Sequence, residues 1–319
     1  MNCSTATRHH IDPKKIMNNN SPLQKLLTLL LLLAAVSIAA FGQNVVVLVI
    51  DGARYSETFG AKAAYMPDIW TTLRPKGTIW TDFRNDSITK TDPGHSTIET
   101  GIWQNIDNSG LDRPHQPTFF EYFRKASLAD EQSTAVIVGK KKLEILTYST
   151  DPEYGKEYRS AFYLDSSDIS VFTRVKTVLT QKHPRLVLIN FPSVDIVGHK
   201  NDWNGYLSAI KTADSLVLAL WNLIQSDSFY RNSTTLFVTN DHGRHDDEHG
   251  GFSNHGCSCE GCRHIMLFAI GRNIPAGGVI TAKHTQCDIA PTAGVLLSFP
   301  TPKAIGTNLL LDISNSSKY

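Results

Sequence analysis

The sequence predicts an α/β protein with a mostly parallel central sheet and helices on both of its faces. Two observations lead there. Short apolar runs recur at 44–50, 135–138, 186–191, 235–239 and 265–270. Runs of Val, Leu and Ile without polar alternation mark strands that are covered on both faces. Helical patterns lie between them, and strand–helix alternation is the signature of a parallel sheet.

The first run, "NVVVLVI", ends directly on Asp51 and Gly52. The clearest helix covers 204–226, where Tyr206, Ile210, Ala213, Val217, Leu220 and Ile224 recur at helical spacing. Residues 288–298, "DIAPTAGVLLS", predict a short helix with Asp288 as its cap and Pro291 tolerated in its first turn. No repeat, low-complexity linker or domain break interrupts the chain after residue 43, so 43–319 reads as one domain with little room for a large inserted cap. A net charge of +1 and the absence of a basic stripe interleaved with aromatics argue against a nucleic-acid-binding role.

Residues 1–42 read as a leader. Lys25 precedes "LLTLLLLLAAVSIAAFG", and the small residues Ala40 and Gly42 favour cleavage before Gln43. Met17 is the expected initiator. If retained, the same run has about the minimum length of a membrane anchor; if cleaved, the mature chain carries no span and is periplasmic or secreted. Cys257, Cys259, Cys262 and Cys287 remain after the leader. An even number of cysteines in an exported chain predicts disulfides, with the pairing open. "CSCEGC" also resembles half of a zinc knuckle, but it lacks a second pair of ligands.

Acids and histidines fall just past three of the strands. The first strand meets Asp51; "LVLINF" is followed by Asp195 and His199; "TLFVT" is followed by Asp241 and His242. Ligands of open α/β sheets bind beyond the carboxyl ends of the strands, and carboxylate with imidazole is a donor set for zinc and similar divalent ions. Each position alone has a plain reading: a cap for Asp51, a solvated helical pair for Asp195 and His199, a turn for Asp241 and His242. Three such coincidences at one rim point instead to metal. In "SITKTDPGHSTIETG", Thr91 stands just ahead of Pro93, Gly94 and a helical start. Its hydroxyl either caps that helix or serves as a nucleophile whose pKa a metal lowers.

Taken in order, strand–Asp–Gly, Thr-x-Pro-x-His, Asp-x-x-Gly-His and Asp-His-Gly resemble the alkaline phosphatase superfamily, especially its nucleotide pyrophosphatase/phosphodiesterase-like branch, across residues 45 to about 300. The resemblance implies two divalent metal ions, in this family zinc. Asp51, Thr91, Asp241 and His242 would hold one; Asp195, His199 and a later histidine would hold the other. Ions about 4 Å apart would clamp the attacking and leaving oxygens of an in-line displacement, and Thr91 would form a phosphothreonine. For the late histidine, His255-Gly256 fits best and His249-Gly250 is the runner-up. His264 reads as packed, and His245 and His249, among Asp246, Asp247 and Glu248, read as a solvated loop. His95 matches the motif and takes no ligand role.

The family also binds a phosphoryl oxygen through an asparagine, for which Asn108 fits better than Asn105; both also read as turn residues. Lys140 and Lys142 stand as a loose version of a cationic pair that serves phosphate monoesters, or as a solvated basic turn. The expected function is hydrolysis of small-molecule or polymeric phosphoesters. The alternatives are a sulfatase, disfavoured because Thr91 stands at the formylglycine position and His95 where arginine is needed; a non-catalytic binding module; and a phosphomutase, which usually carries a large cap.

Overall fold

The computed structural model describes residues 42–316, besides the isolated Met1 and Pro22, with side chains as far as Ile313. All but three positions of the expected leader therefore lie outside the described residues. Nine strands form one sheet: β1 Asn44–Ile50, β2 Gly77–Arg84, β3 Thr134–Val138, β4 Ala161–Leu164, β5 Leu186–Phe191, β6 Thr234–Thr239, β7 His264–Gly271, β8 Gly278–Ile280 and β9 His284–Thr285. The order is β4-β3-β5-β1-β6-β7-β2-β8, with β9 also on β2. Only the β6–β7 and β2–β7 pairs are antiparallel, so β7 alone runs against the rest.

The main helices are α1 Thr91–Thr100, α2 Phe119–Ser127, α3 Asp168–Lys182, α4 Ser193–His199, α5 Trp203–Ser226, the single turn α6 Glu260–Arg263, and α7 Ile289–Leu297. Local chemistry sets several starts. Thr118 and Glu121 close a capping box on α2, and the Asp202 side chain accepts from Gly205 N at the head of α5. Asp288 stands at the expected cap position of α7 but makes no side-chain cap bond. Its carboxylate turns back instead, accepting from Thr285 N and Thr307 N.

The seven residues of β1 are all buried. Val45, Val47 and Val49 join a core layer with Ile98 of α1, Phe119 and Phe120 of α2, and Ile289 and Leu296 of α7. Val46, Leu48 and Ile50 join the opposite layer with Val171 and Val175 of α3 and Ile210 and Val217 of α5. Covering on both faces is the reason the strand shows no polar alternation. By length and composition α5 is the one described helix apolar enough to cross a membrane; here its apolar stripe packs in this second core layer.

Strands β5, β1 and β6 are adjacent and parallel, and Val49 is level with both Asn190 and Thr239. The residues that follow each strand therefore emerge side by side on one rim.

A candidate metal centre at the sheet rim

The rim gathers the predicted residues into two overlapping groups. In the first, donor atoms of Asp51, Asp241 and His242 lie within 4.8 Å of one another, all buried. His242 Nε2 is 3.8 Å from Asp51 Oδ1 and 3.3 Å from Asp241 Oδ2. Thr91 Oγ1 joins it, 3.5 Å from His242 Nε2. Thr91 is the first residue of α1, whose cap residue Lys90 offers no side-chain bond. The threonine hydroxyl is thus not spent on capping, and it sits where the helix dipole favours negative charge. In the second group, donor atoms of Asp195, His242 and His255 lie within 4.8 Å of one another. His199 Nε2 adds to it, 3.3 Å from Asp195 Oδ1 and 3.1 Å from His255 Nε2.

The chemistry of these atoms suits cations. Asp51 Oδ1 and Asp241 Oδ2 are buried carboxylate oxygens without a hydrogen-bond donor, an arrangement that is costly unless positive charge faces it. His255 Nδ1 faces the carbonyl of Thr89 at 2.9 Å and His242 Nδ1 that of Gly243 at 2.7 Å. A carbonyl only accepts, so each ring donates from Nδ1 and turns Nε2 toward the donor groups, the orientation in which a metal is bound. Burial and the neighbouring His242 push the His255 imidazole down to about 2, so it is neutral. Burial and the Asp241 charge raise the Asp51 carboxyl above the usual range despite Lys140. Burial acts the same way on Asp241, but His242, His95 and Lys140 outweigh it and hold that carboxyl low.

The remaining predicted residues flank these groups. Lys140 Nζ bridges them, 2.8 Å from Asp51 Oδ2 and 2.6 Å from Asp195 Oδ2. Lys142 Nζ pairs with Asp92 Oδ1 at 3.1 Å and donates to Asn108 Oδ1 at 2.8 Å. Asn108 Oδ1 also accepts from Asp92 N at 2.9 Å. Lys142 and Asn108 thus stand together at the N-terminus of α1, one residue from Thr91. His95 is fully buried; its Nδ1 lies 3.3 Å from Asp241 Oδ2, and Asn190 Nδ2 lies 3.1 Å from its Nε2. His264 is packed, stacked on Tyr55 with ring centroids 3.7 Å apart.

Two residues, Arg244 and Asn190, escaped the sequence reading, and the steric role of a third, Gly52, is visible only in the structure. Arg244 is fully buried; its Nη1 pairs with Asp195 Oδ1, its Nε donates to Phe252 O and its Nη2 to Ser253 O, the last at 3.0 Å. Asn190 Nδ2 donates to Asp51 Oδ2 at 3.0 Å. Gly52 has φ +68°, and a Cβ there would lie 2.8 Å from Asp195 Oδ1 and 2.9 Å from Arg244 Nη1. Only glycine lets the chain leave β1 against that ion pair.

The cysteines depart from expectation. Cys257, Cys259, Cys262 and Cys287 are all free thiols, so no disulfide is formed among the described residues. Three of them share the short 257–262 segment, while Cys287 is buried at the turn before α7. His249 is exposed, as expected of a solvated loop, but His245 is half-buried and its Nε2 fully so, without a partner.

The donor groups are of a kind that holds metal, and the known proteins this chain resembles include metalloenzymes. The family model of the Metalloenzyme superfamily matches residues 159–293, a span that includes Asp195, His199, Asp241, His242 and His255. A 2,3-bisphosphoglycerate-independent phosphoglycerate mutase of Haloquadratum walsbyi is 25% identical over 260 residues, 82% of this chain and 44% of its own length. Matches to seven other curated mutases span 23% to 34% of their lengths.

Among solved structures, the lipoteichoic acid synthase LtaP of Listeria monocytogenes superposes with a TM-score of 0.65 at 14% identity, covering 85% of this chain and 76% of its own. Murine ectonucleotide pyrophosphatase/phosphodiesterase 5 gives 0.62 at 15% identity, covering 86% and 99%; its inactive threonine-to-alanine form is known in complex with AMP. The fold is thus shared with proteins of the alkaline phosphatase superfamily, among them one from Vibrio parahaemolyticus with a TM-score of 0.62 at 13% identity, covering 84% of this chain and 69% of its own.

Proposed function

We propose that the chain is an exported, metal-dependent phosphoester hydrolase with Thr91 as nucleophile. The observation that carries this reading is the hydroxyl of Thr91, free of capping duty and 3.5 Å from the Nε2 of a histidine shared by both donor groups. Asp51, Thr91, Asp241 and His242 would hold one divalent ion, and Asp195, His199 and His255 the other. The mixed carboxylate–imidazole set suits zinc. Bound there, the ions supply Lewis-acid chemistry, lowering the pKa of the hydroxyl and offsetting charge on phosphoryl oxygens.

The chain's own residues do the rest. Thr91 Oγ1 attacks phosphorus as the ester oxygen leaves, giving a phosphothreonine; water then attacks that phosphorus and returns the threonine. Asn108 and Lys142, beside the head of α1, face the phosphoryl oxygens with a carboxamide and an ammonium group, donors of the kind that stabilise charge growing in the transition state. Asn190 holds Asp51 in position, and His95, bonded to the Thr91 carbonyl at 2.9 Å, steadies the first turn of α1 beside Asp241. Lys140 already pairs with two ligand carboxylates, which makes it a charge-balancing residue more readily than a substrate ligand.

The test uses purified, zinc-loaded protein with nitrophenyl phosphate, the matching diester and the matching sulfate. Thr91→Ala should lower phosphate-ester turnover by about a thousandfold or more, and the faster ester names the branch. Sulfate turnover, or activity indifferent to Thr91, refutes the assignment.

A further inference from the structure

A second group of soft ligands lies behind the rim. The Cys257 sulfur is 3.6 Å from the Cys262 sulfur and 2.6 Å from that of Cys259. His245, Cys257 and Cys262 have donor atoms within 4.8 Å of one another. Around a tetrahedral zinc, with Zn–S bonds of about 2.3 Å, sulfurs stand about 3.8 Å apart; the Cys257–Cys262 separation is close to this, whereas Cys257 and Cys259 stand nearer and must part for both to bind one ion. The His245 Nε2 is buried and has no hydrogen-bond partner. The backbone N–H of Cys259 donates to the Cys257 sulfur at 3.2 Å, the kind of outer-shell bond that steadies a thiolate ligand.

We propose that His245, Cys257 and Cys262 hold a structural zinc ion, separate from the rim centre, with Cys259 turning in as the fourth ligand from its place beside Asp246 and His249, and that this site locks the loop carrying Arg244 and His255. The sequence alone shows only the C-x-C-x-x-C half of the ligand set; the fold supplies the missing donor from twelve residues upstream. Backbone packing already brings the two pieces together. Gly243 N donates to Cys262 O at 2.8 Å, and a Cβ at Gly243 would meet Gly261 O at 2.0 Å. His245 N donates to Asn254 O at 2.9 Å. A metal between His245 and the three thiolates would close residues 245–262 into a ring. Two rim contributors are fixed to that ring: Arg244, which pairs with Asp195, immediately before it, and His255 within it. Four ligands from the protein leave no open position, as structural zinc sites require.

The site is tested on the full-length chain purified without reductant. Thiols are counted after denaturation in chelator, with and without prior reduction, and cobalt(II) is exchanged for zinc. The expected result is an unchanged thiol count and a near-ultraviolet sulfur-to-cobalt charge-transfer band. That band should survive Asp51→Asn and disappear in Cys262→Ser, with about one zinc per chain lost in the serine variant. Because the unaltered protein gives both readouts, a variant that fails to fold does not decide the matter. Thiols that appear only after reduction would show a disulfide instead, and free thiols without the band would show plain cysteines; either overturns the proposal. Neither readout depends on the Thr91 chemistry.

Discussion

Arg244 offers the sharpest test of how the second donor group is held. Its guanidinium is fully buried and serves Asp195, Phe252 O and Ser253 O. Arg244→Ala leaves two loop carbonyls without donors and strips one of the two permanent cations from a buried carboxylate. Breaking a buried pair from one side costs about 3–5 kcal/mol. Lys140 Nζ still lies 2.6 Å from Asp195 Oδ2, which places the expected loss near the lower end, about 3 kcal/mol. For a chain of this size that corresponds to a fall in Tm of about 6–12 °C. The measurement is thermal or denaturant unfolding in excess chelator, so that metal linkage does not enter. Asp195→Asn and the double variant complete a cycle, with an expected coupling of about 2 kcal/mol. A loss below about 1 kcal/mol for Arg244→Ala, or strict additivity in the cycle, would refute the account of Arg244 as the anchor of Asp195.

Gly52→Ala should cost about 1–2 kcal/mol from the left-handed backbone alone, and more because its Cβ falls on Asp195 and Arg244; zinc titration should show weakened binding at the Asp195 group. Zinc added to the chelated protein should raise its stability by about 2.7 kcal/mol for each site filled at a hundredfold excess over its Kd, and Asp51→Asn should reduce the total, as read by calorimetry. Asp168, at the head of α3, accepts from Ser193 N at 2.9 Å while its Oδ2 has no donor, and burial raises its carboxyl to about 6. The folded chain then holds this proton more tightly than the unfolded one, so the stability the group contributes is present below about pH 4 and lost as pH rises through about 6. The shift sets an upper limit of about 3 kcal/mol. Asp168→Asn should remove that slope and stabilise the chain at pH 7, as a series of denaturation curves across the window would show.

Strands β1, β5 and β6 were legible because burial on both faces writes an uninterrupted apolar run, and a polar residue beyond such a run can only stand at the rim. Strand β2 was not, because "GTIWTDFR" shifts register between Trp80 and Phe83 and its outer half is only partly buried. Helix α1 showed no more than its start. All ten of its residues are buried, yet they are mostly small or polar. Hydroxyls return their hydrogen bonds to the helix itself, Thr97 to Pro93 O and Thr100 to Ser96 O, so burial there leaves no hydrophobic period. The direction of β7 was likewise invisible, since an apolar run carries no sign of which neighbour it opposes.

At the centre, the readable residues were those whose spacing to a strand end is short: Asp51, Asp195, Asp241 and His242. Arg244 lies within the same local stretch, but a charged side chain in a polar loop reads as solvated. What buries it is Asp195, 49 residues away, together with the Phe252 and Ser253 carbonyls. His245 and His249 make the point more strictly. They share a residue type, a loop and a set of acidic neighbours. His249 turns outward to Asp246 on the surface, whereas the 243–245 backbone is bonded to Cys262 and Asn254 and carries the other imidazole among the thiols. No periodicity separates these two histidines. The only local sign is the two-glycine pair Gly250-Gly251, both at positive φ, which turns the chain back after His249 and returns it to the segment where His255 and the cysteines lie.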